Sequence, residues 1–309
     1  CLVGSEMCIR DSFWMLRQAE LDFLRSLDQA WSKLAVTQRR KSVIQDRLAV
    51  LKKENGMIEK LIGAGEVEFS SRQVASQRMN HAIREFQNVT EAELEQQMEL
   101  VKLMGMHPSS APRLRFLTGQ GFSLPAAVAA PSPAALMESP KVKAQMATYA
   151  TTETLLKTEI RRQYPELELG PSFTRDDEEK EVGGEIGFNI PLWNRNRKAI
   201  AEARGVRNTA RLETVQLWKT ELFNARQLEA TQQMVIRHCR TELQRMESFS
   251  SSVQTMEKLH GIGEASLLEL AENRHQLYES RLAFLDSLDK LLGIQAQLRY
   301  ITHANLQSK

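Results

Sequence analysis

Along most of the chain, apolar residues return every three or four positions. Between Phe13 and Ile62 they fall at Leu16, Phe23, Leu24, Leu27, Trp31, Leu34, Val43, Ile44, Leu48, Leu51, Ile58, Leu61 and Ile62, with Arg, Lys, Glu and Gln between them. That is the stripe of an amphipathic helix, and no proline interrupts it. Gly63-Ala-Gly65 breaks the pattern, and a second helix is predicted from about Glu68 to Met104, stopped by Gly105 with Pro108 just beyond. Residues 106–135 carry Pro108, Pro112, Pro125, Pro131 and Pro133 and read as a Pro/Ala-rich linker extended across the helices. Helical periodicity resumes over 136–164, with Ser139-Pro140 near its start. A very long helix is predicted from about Arg195, capped by Asn194 or Asn196, to His260, roughly 98 Å at 1.5 Å per residue. The last helix runs from about Ser266 to Thr302, and 306–309 is a tail.

One stretch, 165–193, follows a different period. From Glu166 to Thr174 the odd positions hold Leu167, Leu169, Pro171 and Phe173, and the even ones Glu166, Glu168, Gly170, Ser172 and Thr174. From Val182 to Leu192 the apolar residues are Val182, Ile186, Phe188, Ile190 and Leu192, against Glu185, Gly187 and Asn189. Alternation of this kind gives a strand one apolar and one polar face. The connecting residues, Arg175 to Glu181, are all charged. Two strands of about 9–11 residues match the length that crosses a bilayer as tilted barrel strands. A lone hairpin is marginal in water. An apolar face turned to lipid requires a closed barrel, because a bilayer tolerates no open sheet edge. One hairpin per chain reaches that only with several copies. The rival reading is a soluble ribbon packed on a helix.

The chain also repeats itself. Leu61-Ile-Gly-Ala-Gly-Glu66-Val67 matches Leu259-His-Gly-Ile-Gly-Glu264-Ala265 at an offset of 198. Each copy is a long helix, a Gly-x-Gly-Glu turn and a shorter returning helix, ending at Gly105 and near Gly293. Only the second copy has a preceding helix and hairpin. Roughly 74 residues of the first copy, its own hairpin among them, are therefore expected upstream.

Composition narrows the class. With 41 basic and 39 acidic side chains the chain is nearly neutral, which argues against a nucleic-acid binder. No run of 18 apolar residues offers a transmembrane helix, which leaves a barrel open. Cys1 and Cys8 lie in the opening CLVGSEMCIRDS, a stretch without periodicity. Residues 1–12 are read as an artefactual leader of translated adapter sequence, with a lipidated Cys1 as the rival reading. In the body, Cys239 stands alone, so no disulfide framework is expected. His238 and Cys239 are adjacent on a helix and diverge. Met234, Met246 and Met256 read as packing residues. No nucleophile–base pair, phosphate loop or metal-spaced cluster appears in the sequence, and neither enzyme activity nor a cofactor or metal is expected.

Glu168-Leu-Gly-Pro-Ser-Phe173, the junction Ile190-Pro-Leu-Trp-Asn-Arg-Asn196 followed by Ile200-Ala-Glu-Ala203, and the paired Gly-Glu turns are similar to the TolC-type outer membrane factors. The resemblance covers residues 13–305. The junction resembles the Pro-Leu-Phe-Asn-Arg-Asn form of the heavy-metal efflux branch, with Trp193 in place of Phe. It implies a mainly α fold with one β-hairpin: long antiparallel helices forming a coiled-coil tube in the periplasm, and a hairpin contributing to a trimeric transmembrane β-barrel of the outer membrane. Residues 13–105 and 194–305 would be the two periplasmic helical hairpins. Leu167, Leu169, Phe173, Ile186, Phe188 and Ile190 would face outer-membrane lipid. The turns at Gly63, Gly65, Glu66 and Val67, and at Gly261, Gly263, Glu264, Ala265 and Ser266, would form the tip that meets a periplasmic adaptor protein. Glu269 and Glu272, three apart on one helical face, would constrict the pore. The first copy has Ser71 and Val74 at the equivalent places. The implied function is a passive exit duct, a homotrimer joined by the adaptor to an inner-membrane transporter, serving either a tripartite efflux pump or type I secretion. The alternative is a soluble periplasmic coiled-coil adaptor or scaffold. An adaptor carries a lipoyl-like β domain beside its hairpin, and none is evident.

The two strand faces make different predictions. In the membrane-assembled protein, Phe188→Arg is expected to cost about 2–4 kcal/mol near the bilayer midplane and Asn189→Arg much less. Equal tolerance at the two positions in an outer-membrane assembly assay would mark a soluble ribbon.

Overall fold

The computed structural model describes residues 2–65, 69–107, 109, 122–164, 166–175, 180–189 and 196–302; for 2–11 and most of the strand pair it describes the backbone alone. The elements in order are α1 (Leu2–Gly63), α2 (Phe69–Leu103), α3 (Pro133–Met137), α4 (Pro140–Arg161), β1 (Glu166–Arg175), β2 (Lys180–Asn189), α5 (Arg197–Gly261) and α6 (Leu267–Arg299). The chain divides into two compact units, one made of residues up to 20 with 132–223, the other of 21–131 with 224–309. Among the described residues no helix is long and apolar enough to cross a membrane.

In the unit of 21–131 and 224–309 the buried positions recur every seven residues. On α1 they are Ala30, Thr37, Ile44, Leu51 and Ile58; on α2 Ala75, Ala82, Val89 and Gln96; on α5 Ala225, Gln232, Cys239, Met246 and Val253. On α6, Leu270, Phe284, Leu291 and Leu298 keep the same spacing. A seven-residue repeat holds one seam of each helix against its neighbour, the packing of a coiled coil. The helices pair antiparallel. Lys41 meets Glu93 (2.7 Å) between α1 and α2, and Ser252 meets Asn273 (2.6 Å) between α5 and α6. Between α1 and α6, Arg299 reaches Asp28 (2.7 Å), Arg40 pairs with Asp286, and Arg274 reaches Glu54 (2.9 Å). Val36, Val43 and Ile44 share a core with Val235, Ile236 and Cys239 and with Phe284, Leu285 and Leu291.

Within the expected linker, residues 122–131 run without helix or strand and are gripped by two buried glutamines. Gln232 of α5 donates from Nε2 to the Val128 carbonyl (2.8 Å), and its Oε1 accepts from the Val128 N–H (2.9 Å). Gln295 of α6 donates to the Ala126 carbonyl (2.8 Å). A glutamine amide thus stands in for the backbone partner the extended segment lacks. Phe122 anchors the start, edge-on to Phe284 with ring centroids 5.6 Å apart and with the Arg39 guanidinium 4.9 Å from its ring centroid.

In the other unit α4 lies antiparallel to α5, held by Lys141–Glu221 (2.6 Å), Gln145–Glu213 (3.4 Å) and Arg207–Glu153 (2.9 Å). The strands pair antiparallel, with Leu167 opposite Phe188, Leu169 opposite Ile186 and Phe173 opposite Val182. The pairing therefore sets apolar positions across from apolar positions, as the alternation predicts.

Three expectations change. First, α1 starts at Leu2 rather than Phe13, so the opening stretch continues the helix. Once nucleated, a helix gains one hydrogen bond per added residue, and no proline stops this one. Second, the single helix predicted over 136–164 is two, α3 and α4. Ser132 caps the first and Ser139 the second, each followed by proline in the first turn. Third, the Asn196 side chain does not cap α5. Its Nδ2 donates to the Glu159 carbonyl (2.9 Å) and carboxylate (2.6 Å), tying the start of α5 to the end of α4, with φ +48°. Asn194 lies outside the described residues. The last helix runs close to its expected span, with Gly293 inside α6.

The glutamine grip is testable. Gln232→Ala removes both bonds to Val128 and leaves its half-buried peptide groups unpaired, so urea unfolding should show a loss of about 1–3 kcal/mol. A loss no larger than that of exposed Gln216→Ala would mean the segment holds itself in place.

Candidate functional site

The two glycine turns lie at the ends of α1 and α5. Gly65 and Gly263, 198 residues apart, both take left-handed backbone, with φ +76° and +83°. Only glycine reaches that conformation without a Cβ clash. At the first turn, Ala64 donates to Lys60 and Gly65 to Ile62, both at 3.0 Å. At the second, Gly263 donates to His260 (3.1 Å) and Glu264 to Leu259 (2.9 Å), the paired bonds that close a helix C-terminus. His260 adds a brace: its Nδ1–H donates to the Ala265 carbonyl (2.9 Å). Between the glycines Ile262 is exposed at the apex. Leu267 packs with Ile58 and Ala75 beside Leu61 and Ile62, which brings the two turns side by side. Gly63, Gly65, Gly261, Gly263, Glu264, Ala265 and Ser266 are thus placed together, while Glu66 and Val67 lie outside the described residues.

Glu269 and Glu272 each have a partner within the chain. Glu269 completes a capping box: the Ser266 hydroxyl accepts from the Glu269 N–H (3.2 Å), and the Glu269 carboxylate accepts from the Ser266 N–H (2.9 Å) and hydroxyl (3.0 Å). Glu272 accepts from Gln276 (2.9 Å) and Arg78 (2.7 Å). The Ser266 hydrogen bonds lower the Glu269 pKa, and the Gln276 bond lowers that of Glu272. Both groups therefore stay ionised to lower pH than a free carboxylate.

Behind these carboxylates lies a web of charge that sequence reasoning did not find. Arg47 sits 3.8 Å over the Tyr278 ring, donates to Glu85 (3.2 Å) and faces His275 Nδ1 (3.2 Å). A guanidinium only donates, so His275 Nδ1 accepts and carries no proton. Tyr278 also donates to Glu85 (3.1 Å). Burial pushes the Tyr278 pKa up to about 12 and lowers that of His275, which the Arg47 charge lowers further. Arg274 bridges Glu54 of α1 and Glu257 of α5 (2.9 and 2.8 Å). The web touches all four helices of its unit. Its sequence signal was an arginine or glutamate at a helix position where neighbouring turns are apolar, as at Arg47 between Ile44 and Leu51.

Of the expected lipid-facing residues, Ile186 is exposed, Ile190 lies outside the described residues, and Leu167, Leu169, Phe173 and Phe188 are described by backbone register alone. Among the described residues no cluster of His, Cys, Asp and Glu is arranged to hold a metal. Cys239 is buried in the α5 seam, and burial raises its thiol pKa, so it packs as a small apolar group.

No protein-family model matches the sequence. No curated protein matches it either. Solved structures match in fold. A membrane protein from Pseudomonas aeruginosa aligns with TM-score 0.80 and 17% identity, over 94% of this chain and 68% of that one. The CmeC outer membrane channel of Campylobacter jejuni aligns with TM-score 0.78 and 14% identity, over 96% of this chain and 66% of that one. The open state of the MtrE outer membrane channel of Neisseria gonorrhoeae aligns with TM-score 0.79 and 14% identity, over 98% and 71%. The chain shares the fold of these structures and spans about two thirds of their length.

The turns make a differential prediction. Gly65→Ala and Gly263→Ala place a Cβ in the left-handed region and should each cost about 1–2 kcal/mol. Gly261 ends α5 with open space around it, so Gly261→Ala should be neutral or stabilising. Chemical denaturation of the three variants checks this, and equal costs would place the strain elsewhere.

Proposed function

We propose that this chain is the outer membrane channel component of a tripartite efflux pump, a passive exit duct energised by an inner-membrane transporter. One observation carries the reading. An antiparallel strand pair with apolar positions in register adjoins long coiled-coil helices, in the fold of outer membrane channels. The charged connection between the strands and the exposed Ile186 support a barrel segment. In this reading three copies close the barrel, and the helices form a tube in the periplasm.

The side-by-side glycine turns are the surface for a periplasmic adaptor, whose helical hairpin would meet them end to end. Glu269 and Glu272 line the entrance, and their low pKa values keep them charged there. Substrate choice rests with the inner-membrane pump. We favour an efflux pump over type I secretion on the resemblance of the junction Ile190–Asn196 to the form of the heavy-metal efflux branch. The adaptor-or-scaffold alternative finds no counterpart among these neighbours.

The entrance can be tested without disturbing the helix cap. Gln serves a capping box as Glu does, so Glu269→Gln removes charge and keeps the cap. In single-channel recordings across a planar bilayer, Glu269→Gln combined with Glu272→Gln should weaken cation preference and block by multivalent cations. An unchanged permeability ratio would make both glutamates helix-stabilising residues only.

A further inference from the structure

A cavity of about 170 Å³ lies between α1 and α6, set back from the glycine turns. Val43, Val50 and Leu51 wall it from α1, and Ala271, Leu277 and Tyr278 from α6. Four arginines, Arg47, Arg78, Arg274 and Arg281, also line it. Three of them are engaged: Arg78 with Glu272 (2.7 Å), Arg274 with Glu54 (2.9 Å) and Arg47 with Glu85 (3.2 Å). Arg281 is not. Among the described residues it has no hydrogen bond and no carboxylate within ion-pair distance, and its Nε is sealed from solvent without a partner. Burial disfavours the ionised form of Arg281, the charge of Asp46 on α1 favours it, and that of Arg39 disfavours it.

A charge taken from water and left without a partner is costly, and folded chains meet that cost by pairing it. The walls and the unengaged guanidinium together define what fits. A dry cavity of about 150 Å³ takes one benzene ring. A guanidinium offers its N–H groups as a planar fork that matches the two oxygens of a carboxylate. Phosphate or sulfate would set charged oxygens against the apolar walls, and a neutral hydrocarbon would leave Nε unpaired.

We propose that this cavity binds a small aromatic carboxylate, one ring bearing one carboxylate group. The ring lies against Val43, Val50, Leu51 and Leu277, and the carboxylate meets Arg281. Folding has already desolvated the protein side of the site, so binding strips water mainly from the ligand. The bound ligand touches α1 and α6 at once and stabilises their pairing in proportion to its occupancy. The site belongs to a single chain and does not require assembly.

Binding is read on the full chain in detergent by saturation-transfer NMR with three probes. These are benzoate, benzyl alcohol, which keeps the ring without the charge, and acetate, which keeps the charge without the ring. Benzoate should bind saturably and the other two about tenfold more weakly or worse, because one loses the charge-assisted hydrogen bond and the other the buried ring. Arg281→Met removes the guanidinium and keeps an apolar stem. It should bring benzoate down to the level of benzyl alcohol and leave benzyl alcohol itself unchanged. Uptake by detergent is common to both chains and drops out of that comparison. Since Arg281 has no partner to lose, Arg281→Met should unfold in urea no earlier than the unaltered chain. Benzoate bound no better than benzyl alcohol, acetate bound as tightly as benzoate, or benzoate held equally by Arg281→Met would each overturn the site. An earlier urea midpoint for Arg281→Met would show that Arg281 holds the helices together, and would overturn it as well.

Discussion

The seven-residue spacing of buried side chains is the constraint on which the rest of the fold depends. An ordinary helix drifts relative to that repeat, and only slight supercoiling keeps one seam facing its neighbour over many turns. Small residues in the seams, such as Ala30, Ala75, Ala82 and Ala225, set how closely the helices approach. Long helices can then stay in contact without a globular core, and each hairpin can end in a sharp turn with glycine at the apex. The position of Glu269 and Glu272, one turn into α6, follows from where that turn stops.

Several charged and polar residues between these helices partner one another. Arg47, Glu85, Tyr278 and His275 satisfy one another across three helices, and Arg274 ties in a fourth. A buried pair of this kind adds little net stability, but removing one member leaves a desolvated charge behind. The web fixes which helices meet and in what register, which an apolar seam alone does loosely.

Much of this was legible from the pattern. The helix spans, the strand pair and its phase, both glycine turns and the offset of 198 all follow from periodicity and glycine placement. The breaks that pattern reading missed have local causes. Ser132-Pro133 and Ser139-Pro140 start separate helices because each serine side chain accepts from a free first-turn N–H, of Ala135 and Val142, and proline suits the first helical position. Asn196 looked like a cap because asparagine favours that place, yet its side chain found Glu159. The charged web was hidden for another reason. Arg47 and Glu85 read as solvated residues on their own helices, and only pairing shows them buried. The capping role of Glu269 was readable from Ser266-x-x-Glu269, a spacing that went unused beside the expectation of a pore carboxylate.

The grip of Gln232 and Gln295 on the extended segment runs entirely through main-chain atoms, the Val128 N–H and carbonyl and the Ala126 carbonyl. Every residue type except proline offers the same N–H and carbonyl. Selection therefore acts on the two helical amides and little on the side chains they hold at 126 and 128. Across descendants of this gene the strap can change its letters freely while keeping its path. The two glutamines, polar letters in apolar seams, are where its history should be recorded.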